Sequence, residues 1–303
     1  MILRPYTIAF IELLFAAMLW GFGFVATRWA LVGFSPLWLT AIRFLIACFF
    51  AIPLFFKTPF EKYLPQIKTA FWPGTFLGLT LIFQTWGLQY TSVTKSGFIT
   101  CLYIVMIPLA ESFLLKQKVS KRHYFFVFLA LIGTALISQL ESGDLNFGDF
   151  LTFLCAILAT LQIISIEKIA KKIDSPFQFN IFQSFWAGLI PLILAPFFET
   201  LNFEKINSTA IAGILFLSLG STMIAFFIQI RTQKILSPSV VSMLFLLESP
   251  FAAFFAYFIF GEILSLTQWI GASIIFMSAL GTLLLGGNHE KKENSSQKSS
   301  EKS

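Results

Sequence analysis

Glu248, Ser249 and Pro250 stand in a row inside an apolar stretch, "VVSMLFLLESPFAAFFAYFIF". At the centre of a bilayer an ionisable side chain costs about 2.5–3.5 kcal/mol on insertion scales, so such residues are usually functional. Pro250 has no N–H to donate and tends to kink its helix. Carbonyls freed there, beside an acid, could coordinate a cation or a substrate amine. The structural alternative is a protonated Glu248 that locks two helices by a hydrogen bond. Other polar residues recur at helical spacing in apolar surroundings. They are Ser96, Thr100, Tyr103 and Glu111; Thr80, Gln84 and Thr91; Thr152 and Gln162 with Ala159 between; and Ser218, Thr222 and Gln229. Such stripes either line a polar path or let helix backbones approach closely.

The elements that hold these residues are membrane spans. Of 303 residues, 57% are hydrophobic and 12% charged, a composition no water-soluble domain matches. Ten segments have the roughly 20 apolar residues that a span requires: 9–29, 37–56, 71–90, 96–115, 124–140, 147–167, 177–198, 209–229, 239–259 and 266–286. The first is too long for a signal-peptide core and is expected to stay in the mature protein. The tail, residues 288–303, is polar and low in complexity and reads as disordered.

Seventeen of the 21 Lys and Arg fall at the N-terminus, in the tail, or in the loops after spans 2, 4, 6 and 8. By the positive-inside rule, both termini are cytoplasmic. The +6 net charge is therefore topology, and no nucleic-acid partner is expected. Trp29, Trp38 and Trp269 at outer ends, with Trp72 at an inner end, fit an interfacial belt. Against these boundaries Glu12 and Glu111 lie near the inner ends of spans 1 and 4, as gate residues or as interfacial charges. Arg43 lies about two turns below the outer surface, where pairing with carbonyls or an acid is a structural role. Three cysteines without paired spacing imply neither disulfide nor metal site, and no cofactor is expected. Nucleophile-elbow, zincin and phosphate-loop signatures are all missing from the sequence, so an enzyme is not expected.

The chain repeats itself weakly. Ser35-Pro36 opens the second span and Ser175-Pro176 the seventh, 140 residues on. Gln84, Ser92 and Thr94 are echoed by Gln229, Ser237 and Ser239 at an offset of 145. Two five-span halves follow, 1–143 and 144–287. Five is odd, so the second half enters the membrane from the opposite side. The expected fold is all-α, with ten transmembrane helices in two inverted five-helix repeats, the arrangement that supplies alternating access.

"LLFAAMLWGFGFVATRWAL", "SPLWLTAIRFLIA", "GLQYTSVTKSGFITCLYIVMIPL" and "LLESPFAAFFAYFIFGEILSLTQWIGASII" resemble the EamA-like family of the drug/metabolite transporter superfamily. The resemblance covers essentially all ten spans. It departs at "CAILATLQII", where a Trp is frequent in the family, at Gln117, where an acid is common, and at Ser249, which splits a usual Glu-Pro. Glu262 matches the second-half acid.

The resemblance implies a central cavity lined by spans 1, 3, 4, 6, 8 and 9. Trp20, Gln84, Thr100, Tyr103, Gln162, Thr222, Glu248 and Ser249 are then candidate substrate contacts. Glu248, Glu111 and Glu12 are candidates for coupling or gating, and Arg43 and Pro250 are structural on a peripheral span and at a kink. Trp20, beside Gly21 and Gly23 at mid-span, is either a cavity wall or a packing residue.

The expected function is a secondary-active carrier of the cytoplasmic membrane, moving a small metabolite such as an amino acid as exporter or exchanger. A uniporter or proton-coupled efflux carrier is the alternative, and a passive channel suits the pattern less well. Monomer and homodimer stay equally open.

Overall fold

The computed structural model describes residues 5–50, 52, 62–91, 93–138, 145–261 and 263–300. Every regular element among them is helical. The chain runs through α1 (Pro5–Ala30), α2 (Pro36–Phe49), the short α3 (Leu64–Thr69), α4 (Phe71–Gly87), α5 (Val93–Thr100), α6 (Tyr103–Leu114), α7 (Lys121–Ser138), α8 (Phe147–Ile169) and α9 (Pro176–Phe198). It continues through α10 (Ser208–Phe216), a π-helical segment (Leu217–Ala225), α11 (Phe226–Thr232), α12 (Pro238–Phe245), α13 (Glu248–Phe260) and α14 (Leu266–Ser300).

Local sequence explains the boundaries. α2, α9 and α12 each open on Ser-Pro, with proline at the first helical position, where its missing N–H is not needed. Asn146 and Asp149 form a reciprocal capping box at the start of α8. Gly261, at φ 69°, ends α13 in the left-handed conformation that glycine adopts without steric cost. The helix α14 continues to Ser300, so its backbone stays helical through most of the polar tail. Once a helix exists, extending it needs no new nucleus, and Glu, Lys and Gln tolerate it well.

Among the described residues seven helical stretches are long and apolar enough to cross a membrane: Tyr6–Ala30, Ser96–Leu114, Lys121–Ser138, Phe147–Lys172, Pro176–Phe198, Ser208–Thr232 and Pro238–Phe260. Two shorter apolar helices, Pro36–Phe49 and Leu266–Thr282, pack among them, as does α4. The distribution of polarity is that of a lipid-embedded protein. Phe113, Phe197 and Phe258 face outward, while Thr152, Gln183, Ser218, Thr222 and Thr232 are wholly buried. The protein is an all-α, multi-pass membrane protein.

Helix pairing has an internal regularity. α4 packs on α8, and α1 packs on α10 and the π segment. α8 contacts α5 and α6, and α1 contacts α13 and α12. α9 packs on α4, and α2 on the π segment and α10. α2 pairs with α9, α6 with α12, and α7 with α14. The last pair approaches backbone to backbone: a Cβ on Gly271 would lie 2.5 Å from the Gly133 carbonyl oxygen.

Candidate functional site

The centre of the molecule is organised by the π segment. A π turn shifts carbonyls away from their ordinary i+4 N–H partners, and such segments concentrate at functional sites. Here side chains from other helices take three of those oxygens. Trp20 Nε1 donates to the Ser221 carbonyl at 3.2 Å. Asn180 Nδ2 donates to the carbonyls of Thr222 at 2.9 Å and Met223 at 3.1 Å. The Thr222 hydroxyl turns the other way and accepts from Arg43 Nε at 3.1 Å. One residue of the π segment thus fixes both an amide from α9 and a guanidinium from α2.

Below it lies a ladder of amides. Gln229 Nε2 donates to Gln162 Oε1 at 3.0 Å and to Gln233 Oε1 at 3.1 Å. Gln162 Nε2 donates to Gln183 Oε1 at 3.2 Å, and Gln233 Nε2 ends the chain on the Ile163 carbonyl. Such buried amides in membranes are worth about 0.6 kcal/mol each on average, and more where desolvation is complete. They join α8, α9 and α11 into one wall.

Two breaks complete the frame. α5 and α6 are separated at Cys101 and Leu102, and α12 and α13 at Leu246 and Leu247. Pro250 lies in the first turn of α13, where a missing N–H carries no penalty, so the break itself sits just before it. Glu248 opens α13. Gly21 makes this closeness feasible: a Cβ there would meet Phe251 Cβ at 2.5 Å and the Glu248 carbonyl oxygen at 2.9 Å. Trp20, one residue earlier, stands edge-on to Phe245 at 4.7 Å and tilted to Phe226 at 5.3 Å.

These elements enclose a cavity of about 160 Å³. Trp20, Gln84, Thr100, Tyr103, Gln162 and Glu248, the candidates for substrate contact, line it, and so do Thr80, Ala159 and Gln229 from the stripes. On α1, α2 and α4 the lining residues are Trp20 to Thr27, Leu39 and Arg43, and Leu77 to Leu88. The cavity therefore runs from mid-bundle toward the end opposite to the one where α1 begins.

Thr222 and Ser249 do not line it. Thr222 is wholly buried and holds Arg43, while the Ser249 hydroxyl lies 3.7 Å from Cys101 Sγ. Both were expected on the cavity wall, but helix position alone does not fix which way each hydroxyl turns. Among the remaining stripe residues, Ser96 meets Thr152 at 3.2 Å and Ser218 bonds back to the Ile214 carbonyl, which is packing.

Arg43 departs most from its expected place. It is only 7% exposed and lines the cavity, although α2 was read as peripheral. Asn180 and Gln183 were not singled out at all. Two amides three residues apart in one apolar span, "FNIFQ", were the signal that could have found them.

The other two acids lie at the end where α1 begins. Glu12 forms an ion pair with Arg231 at 3.1 Å, tying α1 to α11. Glu111, 4% exposed, accepts from the Ser239 backbone N–H at 3.0 Å and from its hydroxyl, tying α6 to the start of α12. A carboxylate at a helix N-terminus answers both the free N–H groups and the helix dipole. Ser92 and Glu262 lie outside the described residues.

The model of the EamA-like transporter family matches twice, over residues 7–139 and 146–284. The chain belongs to the EamA-like transporter family. Relatives include an uncharacterized transporter of Archaeoglobus fulgidus, 34% identical over 268 residues covering 87% of this chain and 82% of that one. Protein PecM of Dickeya dadantii is 26% identical over 279 residues, covering 88% and 89%. A protein of known crystal structure superposes with a TM-score of 0.75 at 18% identity, over 94% of this chain and 99% of that one, which speaks to the fold. Family membership makes this a transporter family member and not an enzyme.

Proposed function

We propose that the protein is a secondary carrier that works by alternating access, moving a small metabolite such as an amino acid or a related compound across the cytoplasmic membrane as exporter or exchanger. The observation that carries this reading is the central cavity. It is walled by helices from both family-matched stretches and extends toward one end, while Glu12–Arg231 and Glu111–Ser239 tie the two stretches together at the other. A carrier held open to one side needs such an arrangement.

Two features support an inverted repeat of ten spans, with halves 1–143 and 144–287. Exchanging the halves maps α4–α8 onto the pairing of α1 with α10 and the π segment. It maps α1–α13 onto α8–α6, and leaves α2–α9 and α7–α14 as pairs. The helix breaks at Cys101–Leu102 and Leu246–Leu247 correspond in the same way. Two nearly equivalent halves can exchange conformations, so that the ties now at one end form at the other. The basic loops argue for cytoplasmic termini, and hence for a cavity reaching the outer side.

Reconstitution in liposomes tests the reading. A carrier gives saturable, concentration-driven flux of a metabolite, and flux accelerated by substrate on the far side marks an exchanger. Flux that never saturates would mark a channel, and no flux of any metabolite would overturn the proposal.

A further inference from the structure

The cavity is lined by two ionisable side chains, one acid and one base, that have no ion-pair partner among the described residues. Among its lining residues only Arg43 and Glu248 are charged. Among the described residues no carboxylate lies within 4 Å of Arg43 and no cation within 4 Å of Glu248. They do not pair with each other, although they share one small cavity. Among the described residues the Arg43 guanidinium makes one hydrogen bond, through Nε, to the neutral hydroxyl of Thr222. Glu248 accepts no hydrogen bond among the described residues.

We propose that Arg43 and Glu248 are the two poles of one binding site, and that the transported molecule carries both a carboxylate and an ammonium group. The proposal rests on the carrier reading above and specifies its substrate. A guanidinium has five N–H donors in a rigid planar fork. With Nε held by Thr222, the two terminal amino groups remain, and their parallel N–H bonds match the two oxygens of a carboxylate. Thr222 is itself held, because Asn180 donates to its carbonyl within the π segment. The fork is therefore positioned before a ligand arrives, which is what lowers the ordering cost of binding.

At the other pole an ammonium group meets the Glu248 carboxylate. Trp20, Tyr103 and Phe245 line the same cavity, and aromatic rings attract cations through the ring quadrupole. A ligand with both groups neutralises both poles at once. An amine or an acid alone leaves one charge desolvated and unpaired, which is the costly outcome in a low-dielectric interior. Leu77, Leu81 and Leu88 supply an apolar flank for the remainder of the ligand. This reading moves Arg43 from a peripheral structural role to the centre of recognition.

The test uses full-length protein in liposomes, loaded either with matched trios or with a whole small-molecule cell extract. One trio is leucine, 3-methylbutylamine and 4-methylpentanoate; the other is phenylalanine, phenethylamine and 3-phenylpropanoate. Leakage from protein-free liposomes is subtracted, because neutral amines and acids cross lipid unaided. The expected result is saturable loss of the zwitterion at least tenfold faster than of its amine or acid. R43Q should then favour the amine over the zwitterion, and E248Q the acid, two opposite switches of preference. A merely structural role for either residue would depress all three fluxes together and overturn the assignment.

Should R43Q fail to fold, T222V keeps the charge and releases only Nε. It should weaken zwitterion flux severalfold while sparing the amine, and an equal loss of both would count against the proposal. If extract metabolites leave saturably but lack either the carboxylate or the amine, the two-pole site falls and the carrier reading stands. If nothing leaves, both fall.

Discussion

Glu111 and Glu248 are both acids in apolar helices, yet they inhabit opposite surroundings. Glu111 accepts two hydrogen bonds from Ser239 and anchors the start of α12 at one end of the bundle. Glu248, at the centre, has no hydrogen-bond partner among the described residues and faces the cavity. An acid that the protein satisfies serves the fold, and one it leaves unsatisfied awaits something from outside. The difference separates a structural end from a functional centre more sharply than depth or residue type.

Four substitutions would break or sharpen that contrast. The largest effect belongs to Glu111→Ala, which strips the Ser239 N–H and hydroxyl of their acceptor. Hydrogen bonds to charged groups are worth about 1.5–3 kcal/mol, so thermal unfolding in detergent should register a loss of about 3 kcal/mol. A stability equal to wild type would deny Glu111 its role as an anchor. Glu248→Gln should do the reverse, leaving the unfolding midpoint within a degree or two while changing transport about tenfold, or about 1.4 kcal/mol. If Glu248 also couples transport to protons, the same variant loses the pH dependence of net flux and keeps exchange. Unchanged pH dependence would confine Glu248 to substrate binding.

Trp20→Phe keeps an aromatic wall but removes the hydrogen bond to the Ser221 carbonyl. A stability loss of about 1 kcal/mol is expected, with altered preference among substrates of different size. Altered preference without destabilisation would make the indole purely a wall. The smallest effect is expected for Glu12→Gln. Its ion pair with Arg231 is partly exposed, at 21% and 48%, and such pairs contribute about 0.5 kcal/mol or less. Its signature is kinetic instead: a faster opening at that end, read by the accessibility of a cysteine introduced into the cavity. No change there would remove Glu12 from the gating residues.

Much of the architecture was legible before any coordinates. Trp20, Gln84, Tyr103 and Gln162 were expected in the cavity and line it, because the helical period and the family pattern together assign faces. Thr222 and Ser249 share those helices but turn elsewhere, toward Arg43 and Cys101. A serine or threonine hydroxyl reaches a different neighbour with each rotamer, so sequence position under-determines it. The π segment left no mark in "LSLGSTMIA", since one extra residue in a turn is paid for by tertiary partners such as Asn180 and Trp20.

What the sequence determined by itself follows from local physics. Spans of about 20 apolar residues must be helical, because a bilayer offers backbone groups no other partner. Ser-Pro starts, capping residues and basic loops fix where helices begin and argue how they are oriented. Tertiary structure alone decided which buried charges are answered. Arg43 and Glu111 look alike in sequence, each a lone charge in an apolar run. Only the approach of α12 satisfies Glu111, and only the cavity leaves the terminal amino groups of Arg43 open. The energy of a buried charge depends on the groups within a few ångströms of it, and in this protein those groups come from helices more than a hundred residues away.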